Sequence, residues 1–323
     1  HGHGGTLLEH SKELRLHCDL GPGDTLYFHT SCAWMMWNWQ MSALQAGARI
    51  VVLDGSVAYP ERDALLQLLA EENVTHFGTS PAYLQYCRDA GITPPALPRL
   101  RAIMSTGSIL FDEQYDWASE NLGQVPIQSI SGGTDIIGCF VLGNPCLPTW
   151  RGEAQCVSLG LDVRAMTDAG PVRQGRGELV CVAPFPSRPV ALFKDDSGAR
   201  FHSAYFGDHE GVWTHGDFIE LTDRGTARIH GRSDGVMNIQ GVRIGPAEIY
   251  HALRVFPEVV QCLAIDQAHE REIGGRRLVL LLVLQPGLEL DRPLTLKMKK
   301  QLKTQCSAVH VPKVVAQVDA LPT

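Results

Sequence analysis

The chain has 323 residues, with 28 Lys+Arg against 35 Asp+Glu for a net charge of −7, and 44% of it is hydrophobic. That length and apolar share can bury a sizeable core, which excludes a disulfide-stapled peptide and a globally disordered chain. The acidic balance and a pI near 6.0 argue against a broad nucleic-acid or anionic-membrane footprint.

The longest apolar runs, such as Leu278 to Leu284, fall far short of the roughly 20 residues that span a bilayer, so no membrane partner is expected. The 9 cysteines are scattered and never spaced as Cys-x-x-Cys. They read as buried thiols in a reducing, cytoplasmic compartment, not as a disulfide framework or a zinc site. His1-Gly2-His3-Gly4-Gly5 carries no signal-peptide pattern and runs straight into a helix-like stretch, as in a chain entered mid-domain. Two histidines on a Gly-rich end read as a ragged terminus before they read as metal ligands.

From Thr6 to Cys18 the apolar spacing is helical, and Gly21-Pro22-Gly23-Asp24 turns the chain into an extended Thr25 to Phe28. An aromatic-rich helix over Trp34 to Gln45 stops at Gly47, the β-rich Arg49 to Leu53 follows, and Pro60 to Glu72 is amphipathic with Pro at its start. A strand near Thr75 to Gly78 leads to a helix from Pro81, and Leu100 to Met104 is a strand before a helix over Asp112 to Asn121. This alternation predicts a mostly parallel sheet covered on both faces.

After Ile127 to Ile130 the texture becomes antiparallel: short strands broken by Thr167-Asp168-Ala169-Gly170, Asp195-Asp196-Ser197-Gly198 and Thr222-Asp223-Arg224-Gly225. Beyond Gly231-Arg232-Ser233-Asp234-Gly235 comes a compact unit: two short strands around Gly241, a helix Pro246 to Val255, and strands Val259 to Ile265 and Arg277 to Leu284. A basic helix Leu294 to Cys306 and a strand Lys313 to Val318 complete it. The boundary is placed at Asp234, giving a large domain over 1–233 and a small mixed α+β domain over 234–323.

Four segments put small and polar residues at turns where a ligand could meet the backbone. Ser105-Thr106-Gly107-Ser108 follows a strand at the carboxyl end of the sheet, though a plain strand-to-helix loop explains it too. Ser129 to Asp135, with Gly132-Gly133-Thr134-Asp135, suits phosphate contact through N–H groups and Thr134, with Asp135 placed for Mg²⁺; the alternative is a tight turn with Asp135 as a helix N-cap. In Trp213-Thr214-His215-Gly216-Asp217 a carboxylate after a glycine can accept from ribose hydroxyls, or be a β-turn aspartate. In the fourth, Arg232 and Arg243 stand near glycines at the domain joint, where an arginine fork matches phosphate oxygens or makes a surface ion pair. His215 has no nucleophilic Ser or Cys elbow beside it, so a hydrolase triad is not supported.

Taken in this order, the four segments resemble the adenylate-forming superfamily of acyl-CoA synthetases, adenylation domains and luciferases, over essentially the whole chain. Trp34-Met35-Met36-Trp37-Asn38-Trp39, Ser105 to Ser108, Ser129 to Ile136, Gly177 to Cys181 with Pro184-Phe185-Pro186, and Gly231 to Ile249 are more narrowly similar to its acetoacetate-activating branch. The resemblance implies that superfamily's α/β fold: part of the large domain, a parallel sheet plus an antiparallel β subdomain, with a small mobile C-terminal domain. It also implies an ATP-dependent acid–thiol ligase using Mg²⁺ and CoA, in which a carboxylate displaces pyrophosphate from ATP and the CoA thiol then displaces AMP.

Carried over residue by residue, Gly107, Ser108 and Ile109 would meet adenine, Gly133 and Thr134 the α-phosphate, Asp217 the ribose, and Arg232 the ribose and phosphate side. Asp135 would act through Mg²⁺, where the superfamily usually has Glu. Asp234 matches the hinge, Arg243 a contact of the adenylating arrangement, and Gly241 the wall of the pantetheine tunnel. Trp34, Met35, Met36 and Thr106 would line an acyl pocket, with Gly132 in place of a bulky Trp opening room for a longer chain; Met35 and Trp34 read equally as helix core. The superfamily's phosphate loop is expected before His1 and its C-terminal lysine past Thr323. A ligase for another short or medium acid, and a non-catalytic nucleotide-binding fragment, stand as alternatives.

Overall fold

The computed structural model describes residues 1–233, 235, 237–239, 242–269 and 276–321. It divides into two compact units, residues 1–215 with 219–229, and residues 216–218 with 230–323.

In the first unit, helix α1 (His3–Lys12) passes into a π-helical turn, Glu13–His17, where the Thr6 to Cys18 pattern predicts one continuous helix. The wider turn places Glu13, Leu14 and His17 in the interior together. Strand β1 (Thr25–Phe28), helix α2 (Met35–Ser42) with a 3₁₀ turn ending at left-handed Gly47, and β2 (Arg49–Val51) follow. Helix α3 runs Ala64–Glu71 and starts later than Pro60, because 60–63 form a turn that Asp63 precedes into the helix. β3 (His76–Thr79), α4 (Pro81–Asp89), β4 (Ala102–Ser105), α5 (Asp112–Asn121) and β5 (Ile127–Ser129) complete an all-parallel sheet of order β2-β1-β3-β4-β5. Strands β1, β3 and β4 are buried along their whole length, as expected of a sheet covered on both faces.

The chain then changes to antiparallel pairing. β6 (Ser131–Gly133), β7 (Gly138–Leu142) and β8 (Cys156–Val157) form one small sheet. β9 (Val163–Thr167), β10 (Gly170–Val172) and β11 (Gly175–Cys181) begin another, joined by β12 (Trp213–Leu221) and β13 (Ala227–Arg232) in the order β10-β9-β11-β12-β13. Between β11 and β12 stands a helix the β texture did not announce, α6 (Ala199–Phe206), whose first N–H groups at Arg200 and Phe201 donate to Asp195. That carboxylate takes the role of a cap.

In the second unit, β14 (Met237–Ile239) and β15 (Val242–Ile244) make the expected hairpin, and α7 (Pro246–Leu253) follows. β16 (Val259–Ala268) and β17 (Arg276–Leu284) pair antiparallel, and α8 (Arg292–Gln305) leads to β18 (Val314–Gln317), parallel to β17. Met298 and Leu302 of α8 pack with Ile249 and Leu253 of α7 and Leu280 of β17 in one core.

Among the described residues no helix is long and apolar enough to cross a membrane. All nine cysteines are free, but only four are buried, and Cys32 and Cys146 are exposed. The expectation of uniformly buried thiols fails there because both sit in surface loops. Nor is the amino end ragged: α1 starts at His3, and the His1 ring lies 2.9 Å from the Ser187 carbonyl and 3.0 Å from that of Thr134.

Candidate active site

The loop after β4 begins with buried Ser105, and Thr106 N–H donates to the Thr79 carbonyl at 3.1 Å, which ties it to β3. Gly107 has φ +95°, a conformation glycine adopts without strain, and a Cβ there would stand 3.5 Å from the Trp34 ring. Gly107 and Ser108 are exposed and Ile109 is half-buried. Trp34, just before α2, lies edge-on to Phe28 at 6.3 Å, while Met35 and Met36 are buried with Leu14, Phe28, Trp39 and Met104. Both methionines are thus part of a buried apolar cluster, with Trp34 alone of the three half-exposed beside the loop.

The hairpin of β6 and β7 carries Gly132, Gly133, Thr134 and Asp135. A Cβ on Gly132 would lie 1.9 Å from the Gly138 carbonyl oxygen and 2.5 Å from the Cys139 Cα. Glycine is required there by the close approach of β7, across a register shift between Ser131 and Gly132. The side chain missing at Gly132 thus leaves space for backbone, not the open acyl room expected from the sequence. Residues 134–137 form a turn closed by Ile136 and Ile137 N–H groups on the carbonyls of Gly133 and Thr134, so Asp135 caps no helix.

Thr134 is exposed and Asp135 half-buried. Asp135 Oδ1 accepts a hydrogen bond from the Tyr205 hydroxyl of α6. Its Oδ2 accepts none from any described residue and lies 2.9 Å from where a Gly133 Cβ would stand, as does His215 Cε1. The buried His215 ring meets Phe140 edge-on at 4.6 Å. Tyr205 stacks on Trp213 with ring centres 4.0 Å apart and planes 10° from parallel. Burial first, and then the bond to Asp135, push the Tyr205 hydroxyl well above its ordinary pKa, so it stays protonated and donating at any working pH. Phe185 and Pro184 of the Pro184-Phe185-Pro186 string line, with Trp213 and Phe206, a cavity of about 380 Å³.

Behind the hairpin sits a buried acid. Glu13 Oε1 accepts from Cys139 N–H at 2.6 Å and Oε2 from Trp39 Nε1 at 2.7 Å, while Glu9 pairs with Lys12 at 2.6 Å. Gly138 packs closely on this pair: a Cβ there would stand 2.7 Å from Glu9 Cγ, so the Glu9 side chain would have to shift.

The second unit holds the other pair. Gly216 has φ +83°, and a Cβ there would be 2.5 Å from Arg232 Nη2. Asp217 Oδ1 lies 3.5 Å from Arg232 Nη1, with the carboxylate buried and the guanidinium exposed, and Ser233 N–H donates to the Gly216 carbonyl at 2.7 Å. Arg243 lies on β15 opposite Asn238. Asp234 and Gly241 lie outside the described residues.

Among the described residues no cluster of three or more His, Cys, Asp or Glu could hold a metal. The donor set that exists is one carboxylate oxygen of Asp135 beside exposed Thr134, which fits an ion held mainly by substrate phosphates. The sequence reading missed Tyr205 and Glu13. The first had a legible signal, the Phe201-x-x-x-Tyr205-Phe206 spacing that follows Asp195 and Gly198. The second had none, since an acid inside a helical pattern reads as solvent-facing.

A family model described as AMP-binding enzyme matches residues 3–184. The chain is 46% identical over 325 residues to an acetoacetyl-coenzyme A synthetase of Rhizobium meliloti (strain 1021), covering 99% of this chain and 50% of that protein. It is 36% identical over 328 residues to the acetoacetyl-CoA synthetase of Gallus gallus, covering 100% of this chain and 49% of that one. Among solved structures, the acetoacetyl-CoA synthetase from Streptomyces lividans superposes with a TM-score of 0.91 at 40% identity, over 98% of this chain and 49% of its own. An anthranilate CoA ligase in complex with anthranoyl-AMP superposes at 0.79 with 17% identity, over 100% of this chain and 61% of its own, a likeness of fold. The chain spans about half the length of the curated relatives it matches.

Proposed function

Because this chain belongs to the AMP-binding enzyme family, we propose that the protein carrying it is an ATP-dependent acid–thiol ligase that makes acetoacetyl-CoA from acetoacetate, ATP and CoA. The observation that carries this reading is the likeness, along essentially all of the chain, to proteins named acetoacetyl-CoA synthetase in both sequence and fold.

In the first step a carboxylate oxygen attacks the α-phosphorus and the bond to pyrophosphate breaks. In the second the CoA sulfur attacks the acyl carbon, AMP leaves, and the thiol proton is released. Catalysis of such steps rests on fixed donors and charges where negative charge develops.

Thr134 offers an exposed hydroxyl, and Gly133 a backbone with no side chain, for the α-phosphate oxygens. Asp135 Oδ2, with no hydrogen bond from a described residue, suits the Mg²⁺ that travels with ATP, and such an ion would neutralise phosphate charge during displacement. Asp217, buried and paired with Arg232, accepts from the ribose hydroxyls, and Arg232 adds positive charge on the phosphate side. Gly107, Ser108 and Ile109 supply a flat edge for adenine, and Trp34 with Thr106 the acyl side. Asp234 is assigned the hinge between domains 1–233 and 234–323, Arg243 an adenylation contact and Gly241 the pantetheine wall. The partners are small molecules, with no role for nucleic acid or membrane, and a cytoplasmic location fits nine free thiols.

The test is AMP release by the full-length protein with ATP, CoA and a panel of carboxylates. Release with acetoacetate far above that with acetate or butyrate is expected. Butyrate above acetoacetate selects a ligase for another short acid, and silence with every acid leaves only nucleotide binding.

A further inference from the structure

Asp135 divides its two oxygens: Oδ1 is taken by the Tyr205 hydroxyl and Oδ2 takes no hydrogen bond from any described residue. The hydroxyl is itself held. Its ring lies flat on Trp213 at 4.0 Å, and Trp213 is buried with Phe185 edge-on at 5.3 Å and Phe206 edge-on at 6.0 Å. Tyr205 thus has little freedom to turn away, and α6 that bears it is anchored at its start by Asp195. Asp135 has no comparable support from its own strand, since it sits in the open turn between β6 and β7 with exposed Thr134 before it.

We infer that Tyr205 is a positioning residue: by donating to Oδ1 it locks the Asp135 carboxylate so that Oδ2 is presented to the cation of an incoming metal–nucleotide. This rests on the reading of the chain as an ATP-using enzyme and adds a residue to it. A carboxylate free to rotate would have to be ordered at each binding event, and the aromatic stack supplies that order beforehand. Tyr205 differs from a merely structural tyrosine in one respect: its effect must pass through Asp135 and through the cation, and leave nucleotide contacts made elsewhere untouched.

The experiment is a double-mutant cycle on the full-length protein, reading the dissociation constant of ATP by calorimetry with Mg²⁺ and again with EDTA. Tyr205→Phe keeps the ring on Trp213 and removes only the donor. The wild type is expected to bind ATP more tightly with Mg²⁺, and Tyr205→Phe to lose ~10-fold of that gain while its constant in EDTA and its melting temperature stay the same. In an Asp135→Asn background, Tyr205→Phe should change nothing further. The inference is overturned if Tyr205→Phe keeps the Mg²⁺ gain, if it weakens binding alike with and without Mg²⁺, or if it costs as much in the Asp135→Asn background. ATP binding that Mg²⁺ does not strengthen in the wild type overturns the inference alone, and no ATP binding at all overturns the functional reading together with it.

Discussion

The indole N–H of Trp39 donates to the carboxyl group of Glu13 at 2.7 Å, inside the core and away from solvent. With Cys139 N–H on the other oxygen, one carboxyl group joins the π-helical turn to α2 and to the start of β7. The hairpin bearing Thr134 and Asp135 and the helix bearing Met35 and Met36 therefore share one buried anchor. Burial, and next the charge of Glu9, push Glu13 up to about 8, with Lys12 and the two donors pulling against them.

That raised value has a definite sign. Between its ordinary 4.5 and about 8, folded Glu13 keeps a proton that the unfolded chain has released, so its contribution to stability falls as pH rises through that window. Urea unfolding at pH 5.5 and pH 8 should show the wild type losing at least about 1 kcal/mol relative to Glu13→Gln. Equal pH slopes in the two proteins would refute it. The comparison cancels His10, His17 and His76, whose burial lowers their pKa values and makes their contribution grow as pH rises toward 6.5.

Glu153 behaves in the opposite way. It is buried, and it accepts from Arg224 at 2.6 Å, Arg228 at 2.8 Å and the Thr226 hydroxyl. Burial raises its pKa, but the Thr226 and Arg228 bonds and the two guanidinium charges outweigh burial and hold it below the ordinary range. Its stabilising effect is complete above pH 4.5 and lost as pH falls through the lowered value. Glu153→Ala should cost about 1–3 kcal/mol at pH 7, measured by chemical denaturation, because the two arginines it leaves are half-exposed and can be hydrated, and Glu153→Gln less. A loss under about 1 kcal/mol for the alanine variant would show that the network contributes nothing net.

Gly132→Ala places a methyl against the Gly138 carbonyl, so β6 and β7 must move apart. A loss of about 1–3 kcal/mol is expected in thermal unfolding. An unchanged melting temperature would mean that the position opens on free space after all.

Asp217→Ala removes the acceptor proposed for ribose. The KM for ATP should rise ~10- to 100-fold, while that for 2′,3′-dideoxy-ATP, which has no hydroxyls to offer, should hardly move. Equal rises for both nucleotides would point to a general electrostatic role through Arg232 instead.

Most of the element order was legible because it depends on local rules. Alternating apolar strands and amphipathic helices give β1 to β5 in order, Gly47 stops its helix in the left-handed conformation, and a helix over about Asp112 to Asn121 follows from the same pattern. The errors have local causes as well. A π-helical segment of five residues is too short to shift the apolar spacing visibly away from that of one continuous α-helix, so Glu13 to His17 cannot be told from α1 by pattern. The helix α6 was hidden because its flanks carry turn residues that in this region otherwise separate strands.

By itself the sequence determined which backbone states follow one another and where glycines and polar groups gather at turns, because propensity and periodicity act over a few residues. The motif strings around Gly107, Thr134, Asp217 and Arg232 belong to that information. Only tertiary structure decided that Gly132 faces the backbone of β7, that Glu13 lies between Trp39 and Cys139, and that Tyr205 reaches Asp135 across 70 positions of chain. Those relationships arise from how close-packed layers meet, and packing joins residues whose separation in sequence carries no period to read.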